Sequence, residues 1–228
     1  LSTALSRAAG LLMLPIYTRY LSPANYGLLQ LLDLAAEVTQ ILFLAGTRAG
    51  MVRFFFRSAE LSHRRTVVSS TFALEVVLAL TGALVLAAAA HPVWRLALAG
   101  EGTVGLVRLT ALNFFLVTLQ NTPLGYMQTA QRARTHATAQ FIKLVLQVGF
   151  NLFFLVHLKM GVTGMLLSSV VVNAMVGVGL VAWMLKDIGW SPQMKVAVAL
   201  RRYGFPYQLT FAGAFILTFG DRFFLQRY

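Results

Sequence analysis

The 228-residue sequence contains no cysteine, which excludes disulfides, thiolate metal centres and cysteine nucleophiles. It is also short of acid: 7 Asp and Glu stand against 19 Lys and Arg, for a formal net charge of +12. Charge of either sign is scarce, at 11% of residues, where soluble domains carry about 25%. A chain so poor in charge cannot clothe a soluble enzyme. The basic residues are scattered between apolar runs and build no solvated face, so a nucleic-acid partner is excluded as well. His63, His91, His136 and His157 have no metal-ligand spacing such as HExxH, and GxSxG, P-loop and strand-linked GxGxxG motifs are missing. The chain is therefore expected to be no enzyme, with no catalytic residue, metal or organic cofactor.

What is there is hydrocarbon. Hydrophobic residues make up 58% of the chain, against roughly 45–50% in soluble domains even with glycine counted. They gather into seven runs bounded by charges, prolines or glycines: Leu1 to Tyr20, Tyr26 to Ala45, Val67 to Ala90, Val104 to Met127, Ala137 to Leu158, Gly164 to Leu185 and Phe205 to Leu225. Each is about the ~20 residues that cross a bilayer core as a helix. Spanning backbone must satisfy its own hydrogen bonds, and these runs are too long and too uniformly apolar for barrel strands. The expected fold is an all-α integral membrane protein, a bundle of about seven transmembrane helices. No removable signal peptide is visible. Leu1 lies inside one apolar run and Tyr228 just beyond another, so the sequence is expected to be a piece of a longer protein.

The arrangement of basic residues gives an orientation. With the amino end in the cytoplasm, 12 Lys and Arg fall on that side, among them Arg48, Arg53, Arg57, Arg64, Arg132 and Arg201. The opposite side holds 6: Arg19, Arg95, Arg108, Lys159, Arg222 and Arg227. Basic cytoplasmic loops resting on anionic lipid account for most of the net charge. The expected organisation is a six-helix bundle over residues 1–185, a cytoplasmic linker over 186–204, and a further helix over 205–228. In the linker, Ser191 and Pro192 read as a helix cap and first-turn proline before a short surface helix.

Polar residues inside the runs are costly in hydrocarbon and are expected to face the bundle interior or a hydrated cavity. In the second run, Gln30, Asp33, Glu37 and Gln40 recur at steps of three and four, which places them on one helical face. The fifth run repeats this with Gln140, Lys143, Gln147 and Asn151. The two stripes carry opposite charge, which suggests a shared cavity where Lys143 meets an anionic headgroup and a carboxylate exchanges a proton. Glu75 in the third run, and Asp221 beside Arg222 in the seventh, suit interhelical pairs that fix packing. Asn113, Gln120 and Asn121 add neutral polarity to the fourth run.

The stretch LPIYTRYLSPANYG, Leu14 to Gly27, closely resembles the first helix and following loop of bacterial polysaccharide flippases, the Wzx-like oligosaccharide exporters of the MOP superfamily. TRAGMVRFFF, Thr47 to Phe56, is similar to that family's turn after the second span. Met127 to Phe154 resembles its fourth-to-fifth-span region, and RRYGFPYQL and GDRFFLQRY resemble the ends of its seventh span. Members have about twice as many spans in two bundles, so the chain resembles the first bundle plus one helix of the second. The resemblance implies translocation of an undecaprenyl-diphosphate-linked oligosaccharide across the bacterial cytoplasmic (inner) membrane by alternating access, coupled to H+ or Na+. By matching position it implies Arg19 and Arg48 as diphosphate contacts, with Lys143 as a further cavity cation and Asp33 or Glu37 as the coupling carboxylate. Polysaccharide polymerase or assembly proteins are the implied protein partners. A drug or metabolite exporter of the same superfamily, a membrane-embedded glycan transferase or ligase, and a non-catalytic scaffold are the alternatives.

Overall fold

A computed structural model describes residues 22–96 and 102–225. Ser22 accepts a hydrogen bond from the Asn25 amide and Pro23 occupies the first turn, the local chemistry that starts a helix. This is α1, Pro23–Leu44. It stops where Ala45 turns extended and Gly46 adopts φ +85°, a left-handed geometry open to glycine at little cost. A short amphipathic helix, α2 (Thr47–Phe55), follows. It buries Thr47, Gly50, Met51 and Phe55 and leaves Arg48 and Arg53 outside. Next come α3 (Leu61–Ala88), the short α4 (Ala90–Leu96), α5 (Val104–Thr118) and α6 (Asn121–Thr129). The last two share one expected span. Pro123 lacks the N–H that would reach the Leu119 carbonyl, and the helix breaks there, turning Gln120 into the interior at 1% exposure.

The chain continues through α7 (Ala133–Leu152), which ends in a wide π-helical turn, Phe153–His157, then α8 (Gly161–Ile188) and α9 (Met194–Leu225). The expected short surface helix and the seventh span are thus one 32-residue helix with Pro206 inside it. Ser191 and Pro192 precede that helix, outside regular secondary structure. The first expected span, Leu1 to Tyr20, lies outside the described residues.

Five helical stretches are long and apolar enough to cross a membrane: Pro23–Leu44, Leu61–Ala88, Val104–Thr129, Ala133–His157 and Gly161–Ile188. They are apolar outside and partly polar inside. Leu84, Val145 and Val178 face outward, whereas Ser69, Ser70, Thr71, Glu75, Gln120, Ser168 and Asn173 are buried. Two apolar clusters hold the ends of the bundle. One joins Leu28, Leu32, Leu86, Val107, Leu155 and Leu166; the other joins Met51, Phe55, Val67, Phe72, Tyr126 and Met184. The buried polar groups sit mainly between these layers. Buried threonines such as Thr71 and Thr118 return a hydrogen bond to their own helix, to the Val67 and Phe114 carbonyls, so their burial leaves no donor stranded.

Candidate functional site

A cavity of about 740 Å³ opens between α1, α3, α5 and α9. The polar stripe of α1 supplies Asp33, Glu37 and Gln40, and α2 brings Thr47 and Arg48 to one end. Glu75 comes from α3, Thr110 and Asn113 from α5, and Asn121 from α6. Phe114, Leu166, Phe211 and Phe215 form apolar wall. The side chains of Asp33, Glu37, Gln40 and Arg48 are exposed at the opening.

Glu75 is different. It is 4% exposed and rests in a cradle of two threonines from separate helices: Thr47 donates to Oε1 at 3.0 Å, and Thr122 donates to Oε2. The sequence suggested a packing ion pair here, but no cation lies within ion-pair distance of Glu75 among the described residues. The ion pair found among them joins Arg132 and Asp187 at 2.9 Å. That pair also receives the Tyr126 hydroxyl, at 2.6 Å from Asp187, and places the Arg132 guanidinium over the Trp183 ring. The Asp187 hydrogen bond holds the Arg132 pKa above its ordinary value.

Arg48 stands at the cavity mouth, where it donates to Gln128 Oε1; Gln128 in turn donates to His136 at 2.7 Å. A planar guanidinium fixed on one side still offers its other N–H groups to a phosphate or carboxylate. The α1 stripe and Arg48 therefore line one cavity.

The stripe of α7 goes elsewhere. Gln140, Lys143, Gln147 and Asn151 do not line this cavity. Gln147 donates to Asn151 at 2.9 Å and to Ser168 of α8 at 3.2 Å. Lys143 donates to Gln120 at 2.9 Å. Periodicity shows that four residues share a face, but not which neighbour that face meets; for α7 it meets α8 and the α5–α6 break. Arg19 and the side chains of Asp221 and Arg222 lie outside the described residues. The sequence reading missed Thr47 and Thr122 as partners of Glu75, and Asn173 as a partner of Gln120. An asparagine in the middle of the apolar stretch Val170–Val181 of α8 was the available signal for the last.

Two solved structures have a similar fold. The crystal structure of a MATE point mutant superposes with a TM-score of 0.78 at 17% identity, over 96% of this chain and 52% of its own. A MATE in complex with Br-NRF gives 0.75 at 18% identity, over the same shares. The chain thus spans about half the length of the solved chains it resembles. No curated protein matches the sequence. A family model described as polysaccharide biosynthesis protein covers residues 16–227, and the chain belongs to that family.

Proposed function

We propose that this chain is the amino-terminal bundle of a flippase that carries a polyprenyl-diphosphate-linked oligosaccharide across the bacterial cytoplasmic membrane by alternating access. The observation that carries this reading is the chemistry of the cavity in a chain of the polysaccharide biosynthesis family. Sugars and a diphosphate lose their water on entering hydrocarbon, at a cost of several kcal/mol for each group left unpaired. A wall of carboxylates, amides and hydroxyls replaces that water, because sugar hydroxyls both donate and accept. Phe114, Phe211 and Phe215 supply flat apolar surface for the C–H faces of sugar rings. Arg48 at the mouth suits the diphosphate, with Arg19 as its second contact. Asp33 and Glu37 are suited to exchange H+ or Na+ as the cavity changes sides. The amino end faces the cytoplasm in this reading, with the basic loops on anionic lipid and polymerase or assembly proteins as neighbours.

A second reading has one observation in its favour. Among the described lining residues three carboxylates, Asp33, Glu37 and Glu75, face one arginine, Arg48, an imbalance that suits an organic cation and an exporter of such compounds. Complementation separates the two. The full-length parent is expected to restore surface glycan in a flippase-deleted bacterium, with Arg48→Ala and Glu37→Gln each cutting the yield by at least about tenfold, the scale of one lost charge-assisted contact. A parent that restores no glycan but lowers accumulation of a cationic dye would reverse the assignment.

A further inference from the structure

Lys143 lies outside the cavity, yet a line of side-chain amides joins it to the cavity wall. Its Nζ donates to Gln120 Oε1 at 2.9 Å. The Gln120 Nε2 donates to Asn173 Oδ1 at 3.0 Å, and also to the Asn173 backbone carbonyl at 3.1 Å. The Asn173 Nδ2 then donates to Asn113 Oδ1 at 2.9 Å. Asn113 lines the cavity. The two middle members, Gln120 and Asn173, are 1% and 4% exposed, so water does not short-circuit the line.

Every link runs in the same direction. An ammonium has three donors and no acceptor, so Gln120 must turn its oxygen to Lys143 and its NH2 onward. The same constraint passes to Asn173 and then to Asn113, whose oxygen is now occupied. The group Asn113 has left for the cavity is its NH2, a donor. Each amide in such a series is polarised by the one before it, and the low dielectric of the interior strengthens the effect. Lys143 has no carboxylate within ion-pair distance among the described residues to quench it.

We propose that the Lys143–Gln120–Asn173–Asn113 line sets Asn113 as a fixed, polarised donor for an oxygen of the transported lipid-linked glycan, with Lys143 a positioning residue rather than a direct ligand. The proposal rests on the flippase reading above. It explains how a cation held on α7 serves a cavity that no described residue of α7 lines. The oxygen belongs either to the diphosphate or to a sugar, and both accept from an amide.

The test measures binding by the purified full-length parent in nanodiscs. The probes are undecaprenyl diphosphate and the undecaprenyl-diphosphate-linked repeat unit recovered from a flippase-deleted strain. Lys143→Met and Asn113→Ala are each expected to weaken binding about fivefold, with the double variant no weaker than either single one, the signature of coupled residues. Lys143→Arg should restore affinity. Lys143→Gln, which keeps a donor for Gln120 without the charge, should fall between and serves if the methionine variant does not fold. A loss in both arms assigns the diphosphate oxygen; a loss confined to the glycan-bearing arm assigns a sugar oxygen. Unchanged binding in Lys143→Met, or losses that multiply in the double variant while Arg48→Ala still weakens binding, would overturn the amide line and leave the flippase reading intact. Failure of the parent to bind either probe would overturn both.

Discussion

Thr47 has one hydroxyl hydrogen and two acceptors within reach, the Leu44 carbonyl at 2.8 Å and Glu75 Oε1 at 3.0 Å. An acceptor left without a hydrogen in a buried site is expensive, by about 1–3 kcal/mol. The cradle is therefore best served by a side chain at position 75 that accepts from Thr122 and donates to Thr47, which then gives its own hydrogen to Leu44. A glutamine does this. Glu75→Gln is expected to unfold in detergent at the parent's temperature or slightly above it. Glu75→Leu has the right bulk but strands the Thr122 hydroxyl, and should lose about 1–3 kcal/mol. Thermal unfolding of both variants by size-exclusion chromatography checks this, and a leucine variant as stable as the glutamine one would refute the hydrogen count. The same pair tests function, since Glu75→Gln removes a titratable group from the cavity wall while leaving the packing in place.

At the scale of elements, the crossing of α9 over the end of α1 governs how the bundle meets its last helix. Gly46 and Gly204 meet backbone to backbone: a Cβ on Gly46 would fall 2.1 Å from the Gly204 carbonyl oxygen. Beside them, Arg201 donates to the Phe43 carbonyl at 3.2 Å and Gln208 to that of Leu42 at 3.0 Å. Two of the orphan carbonyls at the end of α1 are thereby answered from α9. Gly46→Ala adds a backbone clash to an unfavourable positive φ, and is expected to cost about 2–4 kcal/mol. Gly204→Ala, whose Cβ would stand 2.9 Å from Gly46 backbone atoms, should cost less. Equal stability of Gly46→Ala and the parent in a thermal melt would remove the crossing as a constraint. This junction was poorly legible in the sequence, where Gly46 and Gly204 are far apart and each looks like an ordinary small residue. The spans themselves were legible, because hydrocarbon demands long apolar runs and the runs at α1, α3 and α8 have no internal break. The break before Pro123 was not, since Gln120, Asn121, Thr122 and Pro123 interrupt the run for only four residues before apolar residues resume at Leu124. Nor was the fusion of surface helix and seventh span into α9, because charged residues such as Arg201 and Arg202 mark a change of environment and not a change of backbone.

The whole molecule poses one question to the solvent: which exposed residues meet lipid and which meet water. Val178, at 69% exposure, and Leu84, at 62%, stand beside other exposed apolar side chains, Met175 in one case and Val77 and Leu80 in the other, and belong against acyl chains. Glu37 and Gln40 are also exposed, but they line the 740 Å³ cavity. That cavity lies beside α9, and the chain covers only about half of the solved chains it resembles. Under the flippase reading a second bundle faces this opening and encloses it as a water-filled passage. Hydrocarbon excludes the thiolate that attacks a maleimide, whereas a hydrated cavity permits it. The chain has no cysteine of its own, so single thiols can be read without background once the remainder of the parent is made cysteine-free. Glu37→Cys and Gln40→Cys in the full-length parent are expected to react with a membrane-impermeant maleimide at least about ten times faster than Val178→Cys and Leu84→Cys, as thiol reactivity follows access to water. Saturating undecaprenyl-diphosphate-linked glycan should slow the first pair and leave the second unchanged. Equal labelling of all four sites would mean that the α1 stripe faces lipid, and the cavity would lose its place in transport.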